Sequence, residues 1–200
     1  MSVAGGGKNL VICDSIAKYV GIRDTDMSVH PGLTVPRIND RIRSGEVRVQ
    51  GYSRIILNVG TNDISNLMKD SRHRRTTIFD MMDRFVALRN SIRRRSSALL
   101  IFTSILPRAN RFKLFSAYIS GLNFAIERFC AKSEACIFAP VYEPFLSRGT
   151  PNLALFAESD HLHLRGAGVD LLESLLQQAM STGYLIERVR LGRTKMLRDS

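Results

Sequence analysis

The residues whose types could do chemistry fall in four short segments. Asp14-Ser15 offers a hydroxyl directly after the apolar run Asn9–Cys13. His30-Pro31-Gly32-Leu33-Thr34 contains a glycine, which lets backbone approach a ligand closely. Gly60-Thr61-Asn62-Asp63 offers a side-chain amide able to donate to a developing oxyanion. In Asp160-His161-Leu162-His163 a carboxylate stands three residues before an imidazole, where it can fold back, fix the tautomer and stabilise the imidazolium. Each segment also has a plainer reading: Asp-Ser as a helix N-cap, the glycine as a turn signal, the asparagine as a turn closer. Zinc would need further ligands. The remaining histidines, His30 and His73, have no ligand spacing, so no metal site is expected.

Placing these groups together falls to strands and helices. Asn9–Cys13, Arg54–Val59, Ala98–Thr103 and Ala135–Ala139 are short apolar runs without helical period, each ending at a turn signal. Strands apolar on both faces imply a parallel sheet. Helical spacing fills the gaps: Val35, Ile38 and Ile42; Ile78, Met81, Phe85, Leu88 and Ile92; Phe115, Ile119, Leu122, Ile126 and Phe129; Val169, Leu172, Leu176 and Met180. The segment Ile16–Val20 also reads as the start of a helix. The stretch Met27–His30 has room for a short extra strand, with no residue deciding it. The order βαβαβαβα predicts an α/β fold, a three-layer α/β/α sandwich around a central parallel sheet. In such sheets ligands bind outside the carboxyl ends of the strands, which is where the turn segments lie.

Composition sets the outer bounds. A chain of 200 residues with 44% hydrophobic and 24% charged residues is long enough to bury a core without disulfides and is not of a disordered class. The expected organisation is a flexible, glycine-rich 1–7, one domain over 8–186, and a basic tail or helix over 187–200. No apolar run approaches the roughly 20 residues of a membrane-spanning helix, and the N-terminus lacks a signal-peptide core. Cys13, Cys130 and Cys136 form no CxxC pair and sit among apolar neighbours, as free thiols in a reducing, cytoplasmic compartment would.

Taken in order, Ser, Gly, Asn and Asp-x-x-His form a specific combination. The sequence resembles the SGNH hydrolases, the GDSL-type esterase superfamily with a flavodoxin-like sandwich, over nearly its whole length. The blocks that carry the resemblance are CDSI at 13–16, PGLT at 31–34, GTND at 60–63 and DHLH at 160–163. The resemblance implies that Ser15 is the nucleophile and His163 the general base, oriented by Asp160. It further implies an oxyanion hole from the N–H groups of Ser15 and Gly32 and the amide of Asn62. The implied chemistry is hydrolysis of an acyl ester through an acyl-enzyme, with no cofactor or metal. Cys13 stands where the family usually has glycine, which implies crowding at the nucleophile turn and an altered or weaker activity.

Ester chemistry leaves the charge unexplained. With 29 Lys+Arg against 18 Asp+Glu the net charge is +11, which predicts an anionic partner such as RNA. The basic clusters are Arg37, Arg41 and Arg43; Arg72, Arg74 and Arg75; Arg93, Arg94 and Arg95; and Arg188, Arg190, Arg193, Lys195 and Arg198. Arginines ending a helix also complement its dipole, and a basic tail also serves as a solvated charge run. The sequence resembles the esterase-like domains of retroelement-encoded RNA-associated proteins and, more distantly, the OSK domain of the germ-plasm organiser Oskar, an RNA-binding SGNH-like fold without catalysis. The second resemblance implies an alternative, a non-catalytic RNA-binding module, although here all the site residues are kept.

Overall fold

A computed structural model of the chain describes residues 7–69 and 77–196. Five strands form its main sheet: β1 (Asn9–Cys13), β2 (Thr25–Val29), β3 (Arg54–Asn58), β4 (Leu99–Thr103) and β5 (Cys136–Ala139). They lie in the order β2-β1-β3-β4-β5, and every adjacent pair is parallel. The register sets Cys13 beside both Val29 and Asn58, so these strands end level and their exit turns share one rim.

Alternation along the strands builds two cores. Leu10, Ile12, Ile55, Leu57, Leu100 and Phe102 face one side, where helices α1 (Val35–Ser44), α3 (Ile78–Arg93) and α4 (Phe112–Ala131) bury their apolar stripes. Val11, Cys13, Ile56 and Ile101 face the other side, against Leu172 and Leu176 of helix α5 (Gly166–Met196) and the loop residues Phe145 and Phe156. Sheet residues buried on both faces are what continuous apolar strand sequences require. Side chains from both sets exceed 99% burial at Ile12, Ile55, Ile56, Leu100 and Ile101, and each contributes about 1.5–3 kcal/mol of hydrophobic stabilisation. A two-stranded hairpin, β6 (Leu146–Ser147) and β7 (Thr150–Pro151), follows β5.

The fifth strand the sequence leaves open at Met27–His30 is present as β2, shifted to Thr25–Val29 and only half-buried because it is an edge. Two details depart from the sequence reading. Ile16–Val20 forms turns and no helix: the Asp14 side chain captures the Ile16 N–H, and the Val20 N–H bonds to Ala17 O, while Ile16, Ala17 and Val20 still bury against the α5 side. Helix α2 (Thr61–Lys69), which the sequence reading treated as a turn, begins inside the Gly60-Thr61-Asn62-Asp63 segment. Helix α5 runs on past residue 186 to Met196, so the chain there continues as helix. Among the described residues no helix is long and apolar enough to cross a membrane.

Candidate active site

Ser15 sits at the exit of β1. Its turn is held from three sides: the Asp14 N–H donates to Asn58 O on β3, the His30 N–H donates to Cys13 O, and Asp14 Oδ1 accepts the Ile16 N–H at 3.0 Å. The Asp14 carboxyl is 1% exposed. Burial pushes it up to about 6, against the lowering effect of the Ile16 and Thr61 donors. Cys13, just before it, turns its thiol into the α5-side core and away from the cleft. Burial, with the neighbouring Asp14 charge, pushes that thiol up to about 12. The crowding implied by a side chain in place of glycine is therefore not found: Cys13 fills core volume beneath the turn.

Asp160 and His163 occupy the loop that precedes α5. Phe156 and Leu164 pair as an antiparallel bridge across the base of this loop, and the Ala157 N–H donates to His163 O at 2.7 Å. Inside it, Asp160 Oδ1 accepts the N–H groups of Leu162 (2.9 Å) and His163 (3.0 Å), while Oδ2 meets His163 Nδ1 at 2.5 Å. His161, between them, adopts a left-handed φ of 48°, a strained choice for a non-glycine residue that this tight fold-back imposes. Desolvation works to raise the Asp160 carboxyl, but the His163 ring and the two backbone donors outweigh it and hold the group at about 2. A carboxylate keeping the proton on Nδ1 leaves Nε2 as an acceptor, and Nε2 lies 3.1 Å from Ser15 Oγ.

Opposite this pair stand the residues expected to receive an oxyanion. Gly32 follows β2 with φ 75°, a conformation glycine adopts without penalty, and a Cβ there would meet open space. Asn62, in the first turn of α2, donates through Nδ2 to Leu33 O at 3.0 Å. An amide nitrogen has two hydrogens, so one ties the Gly32 loop and the other is left for the cleft. Asp63 locks the same junction. Its Oδ2 accepts the Val35 N–H at the start of α1 (2.8 Å), and its Oδ1 meets Arg84 Nη1 of α3 at 3.0 Å. Burial raises the Asp63 carboxyl, opposed by Val35 N–H and Arg84. Gly60 before α2 has φ 115°, and a Cβ there would lie 2.9 Å from Ile105 Cδ1.

Ser15, Gly32, Asn62 and His163 line one cleft of about 560 Å³. Sequence reasoning missed other residues on its wall: Ser65 and Asn66 of α2, and Arg108, Asn110 and Arg111 after β4. That stretch is also a strand exit, and the same rule that singled out the other turns applies to it. Among the described residues no group of three or more His, Cys, Asp or Glu side chains is placed to hold a metal ion.

The arginines noted for charge are dispersed. Arg37 is exposed in the first turn of α1. Arg41 is drawn to His30 Nδ1 (3.2 Å) and Glu46 (3.2 Å), and so is part of a local network. Arg43, Arg93, Arg94 and Arg95 gather at the far rim, where the strands begin. Arg72, Arg74, Arg75 and Arg198 lie outside the described residues, as do the side chains of Arg188, Arg190, Arg193 and Lys195.

The layer arrangement, strand order and exit turns are those of the SGNH, or GDSL-type, hydrolase fold. Solved structures carry the comparison. A GDSL-like lipase from Bacteroides thetaiotaomicron superposes with a TM-score of 0.71 at 20% identity, over 88% of each chain. A lipolytic protein of the G-D-S-L family from Veillonella parvula gives 0.67 at 14% identity, over 86% of this chain and 96% of its own. A carbohydrate esterase family 3 protein from Talaromyces cellulolyticus gives 0.64 at 15%, over 90% and 98%. No protein-family model and no curated protein matches the sequence.

Proposed function

We propose that the protein is a serine ester hydrolase that works through an acyl-enzyme. The observation that carries this reading is the continuous hydrogen-bonded trio Ser15–His163–Asp160, assembled from residues 148 positions apart. His163 Nε2 takes the Ser15 proton as Oγ attacks the ester carbonyl. The negative charge that develops on the carbonyl oxygen is met by the N–H groups of Ser15 and Gly32 and by the spare hydrogen of Asn62, donors of a kind worth about 10²–10³-fold each in rate. The imidazolium, stabilised by Asp160, returns its proton to the leaving alcohol, and a water activated in the same way releases the acid. Turnover of a short-chain nitrophenyl ester tests the reading: the wild type hydrolyses it and Ser15→Ala does not. Absence of turnover by the wild type, or equal turnover by the variant, overturns it.

A second reading, RNA association, rests on the far rim. There Arg95 donates to Arg43 O at 2.7 Å, joining the ends of α3 and α1 into one ledge that also carries Arg94. Phosphate contacts from such a ledge give affinity with a steep salt dependence and little base preference. Binding of a single-stranded RNA that is undetectable, or indifferent to salt, removes this reading and leaves the hydrolase reading untouched.

A further inference from the structure

We propose that the ester this site accepts carries an anionic group, a phosphate or a carboxylate, seated by Arg108 and Arg111 beside the nucleophile. The inference rests on the hydrolase reading and adds the substrate class.

Arg108 is a cation only 6% exposed on the cleft wall. Its Nη1 donates to Ser65 Oγ (2.5 Å) and Thr61 O (3.2 Å), both neutral acceptors, and its guanidinium lies over the Phe115 ring at 5.4 Å. Its Nε is buried without a hydrogen-bond partner. No carboxylate among the described residues pairs with it at ion-pair distance: Asp63 is taken by Arg84, and the buried Asp14 carboxyl beneath the Ser15 turn acts on Arg108 only through space, without a hydrogen bond to it. Buried charges are ordinarily paired, so a missing counter-ion on a cleft wall points to one that arrives from outside. Arg111, one short turn on, adds a second, exposed cation to the same wall instead of relieving the first. Burial and the Arg111 charge act against the Arg108 cation and outweigh the favourable charge of Asp14, so an anion bound between the two arginines would relieve both.

Position ties this pair to the reaction. The Asn110 N–H donates to His161 O at 3.0 Å, which fixes the arginine-bearing loop to the loop that holds Asp160 and His163. An anion on Arg108 and Arg111 would therefore sit beside the loop that carries the base, on the same cleft as Ser15. Paired arginines suit carboxylate and phosphate oxygens, which their planar N–H forks match.

Two matched ester pairs test this. The first is mono-4-nitrophenyl glutarate against 4-nitrophenyl butyrate, which puts a carboxylate on the acyl side. The second is 1-acetylglycerol 3-phosphate against 1-acetylglycerol, which puts a phosphate on the alcohol side. The wild type is expected to favour the anionic member of at least one pair by tenfold or more in kcat/KM, and the pair that responds identifies the source of the anion. Arg111→Ala should bring that ratio toward one, mainly through KM; Arg111→Lys should restore most of it; Arg111→Glu should invert it. A ratio near one in the wild type for both pairs, or a ratio unmoved by Arg111→Ala, overturns the proposal. Calorimetry with inorganic phosphate on the Ser15→Ala protein reads the anion site without turnover. Binding weakened tenfold by Arg111→Ala supports the site even where the hydrolase reading fails, and no binding together with no turnover overturns both.

Discussion

The two rims of the sheet set arginine in different surroundings. At the rim where strands begin, Arg93 donates to Ala98 O at 2.6 Å and to Ala135 O at 2.5 Å, closing the end of α3 onto the starts of β4 and β5. Arg95 does the same for Arg43 O. These are backbone acceptors, so the cations are hydrogen-bonded without an ion pair among the described residues; Arg95 is exposed, while Arg93 is half-buried. At the rim where strands end, Asp160 holds His163 and Asp63 holds Arg84, while Arg108 beside Arg111 is hydrogen-bonded to neutral acceptors, with the buried Asp14 carboxyl acting on it through space. The contrast teaches that net charge does not say where each arginine stands or what it touches. Among the described residues, Arg93 and Arg95 fasten a helix end to neighbouring backbone, whereas Arg108 lines the cleft that holds Ser15 and His163.

Substitutions can break or sharpen this contrast. The largest effect is expected at the catalytic rim: Ser15→Ala or His163→Ala should lower kcat/KM for a neutral nitrophenyl ester by about 10⁴-fold or more, with the thermal unfolding midpoint little changed. Asp63→Asn should come next, since it leaves Arg84 without its carboxylate and weakens the acceptor for Val35 N–H. A loss of about 3 kcal/mol by urea denaturation is expected, together with a lower kcat as the Gly32 and Asn62 donors shift. Gly60→Ala should cost about 2 kcal/mol, from a φ of 115° and the contact with Ile105, whereas Gly32→Ala, facing open space, should cost about 1 kcal/mol, both by denaturation.

The pH dependence of stability follows from two shifts of opposite sign. Asp14, raised to about 6, is protonated in the folded chain and ionised in the unfolded chain between about pH 4 and 6, so its contribution falls as pH rises through that window. Asp160, held at about 2, contributes stability that is present above pH 4 and lost as pH falls toward 2. Asp14→Asn should flatten the decline between pH 4 and 6 in denaturation curves and leave the acid limb intact. The smallest catalytic effect is expected from Arg95→Glu at the far rim: ester turnover within about twofold of wild type, with any RNA affinity and its salt slope reduced.

Much of the fold was legible because four strands are apolar on both faces and end at abrupt polar turns, a pattern that few other structures produce. Edge strand β2 was not, since Thr25, Asp26 and Ser28 carry no such signature and its pairing depends on β1 lying beside it. Ile16, Ala17 and Val20 have helical spacing but answer to the core beneath α5, and the Asp14 side chain captures the N–H that a helix would need. Ser15, Gly32, Asn62, Asp160 and His163 could be chosen by residue type and block order, because the CDSI, PGLT, GTND and DHLH segments stand in the sequence order the SGNH resemblance implies, three at strand exits and one before the last helix. Arg108 could not. One arginine among many carries no mark in the sequence, and its distinction is a buried position without a carboxylate partner, which only three-dimensional packing creates.

The bridge between Phe156 and Leu164 makes the acid–base couple a cassette. Asp160 and His163 hold each other through bonds that lie wholly inside the loop, so a displacement of the loop alters the reach from imidazole to Ser15 and leaves the couple intact. Re-anchoring this loop against Asn110 would therefore shift the imidazole relative to Ser15 with the Asp160–His163 couple carried along unchanged.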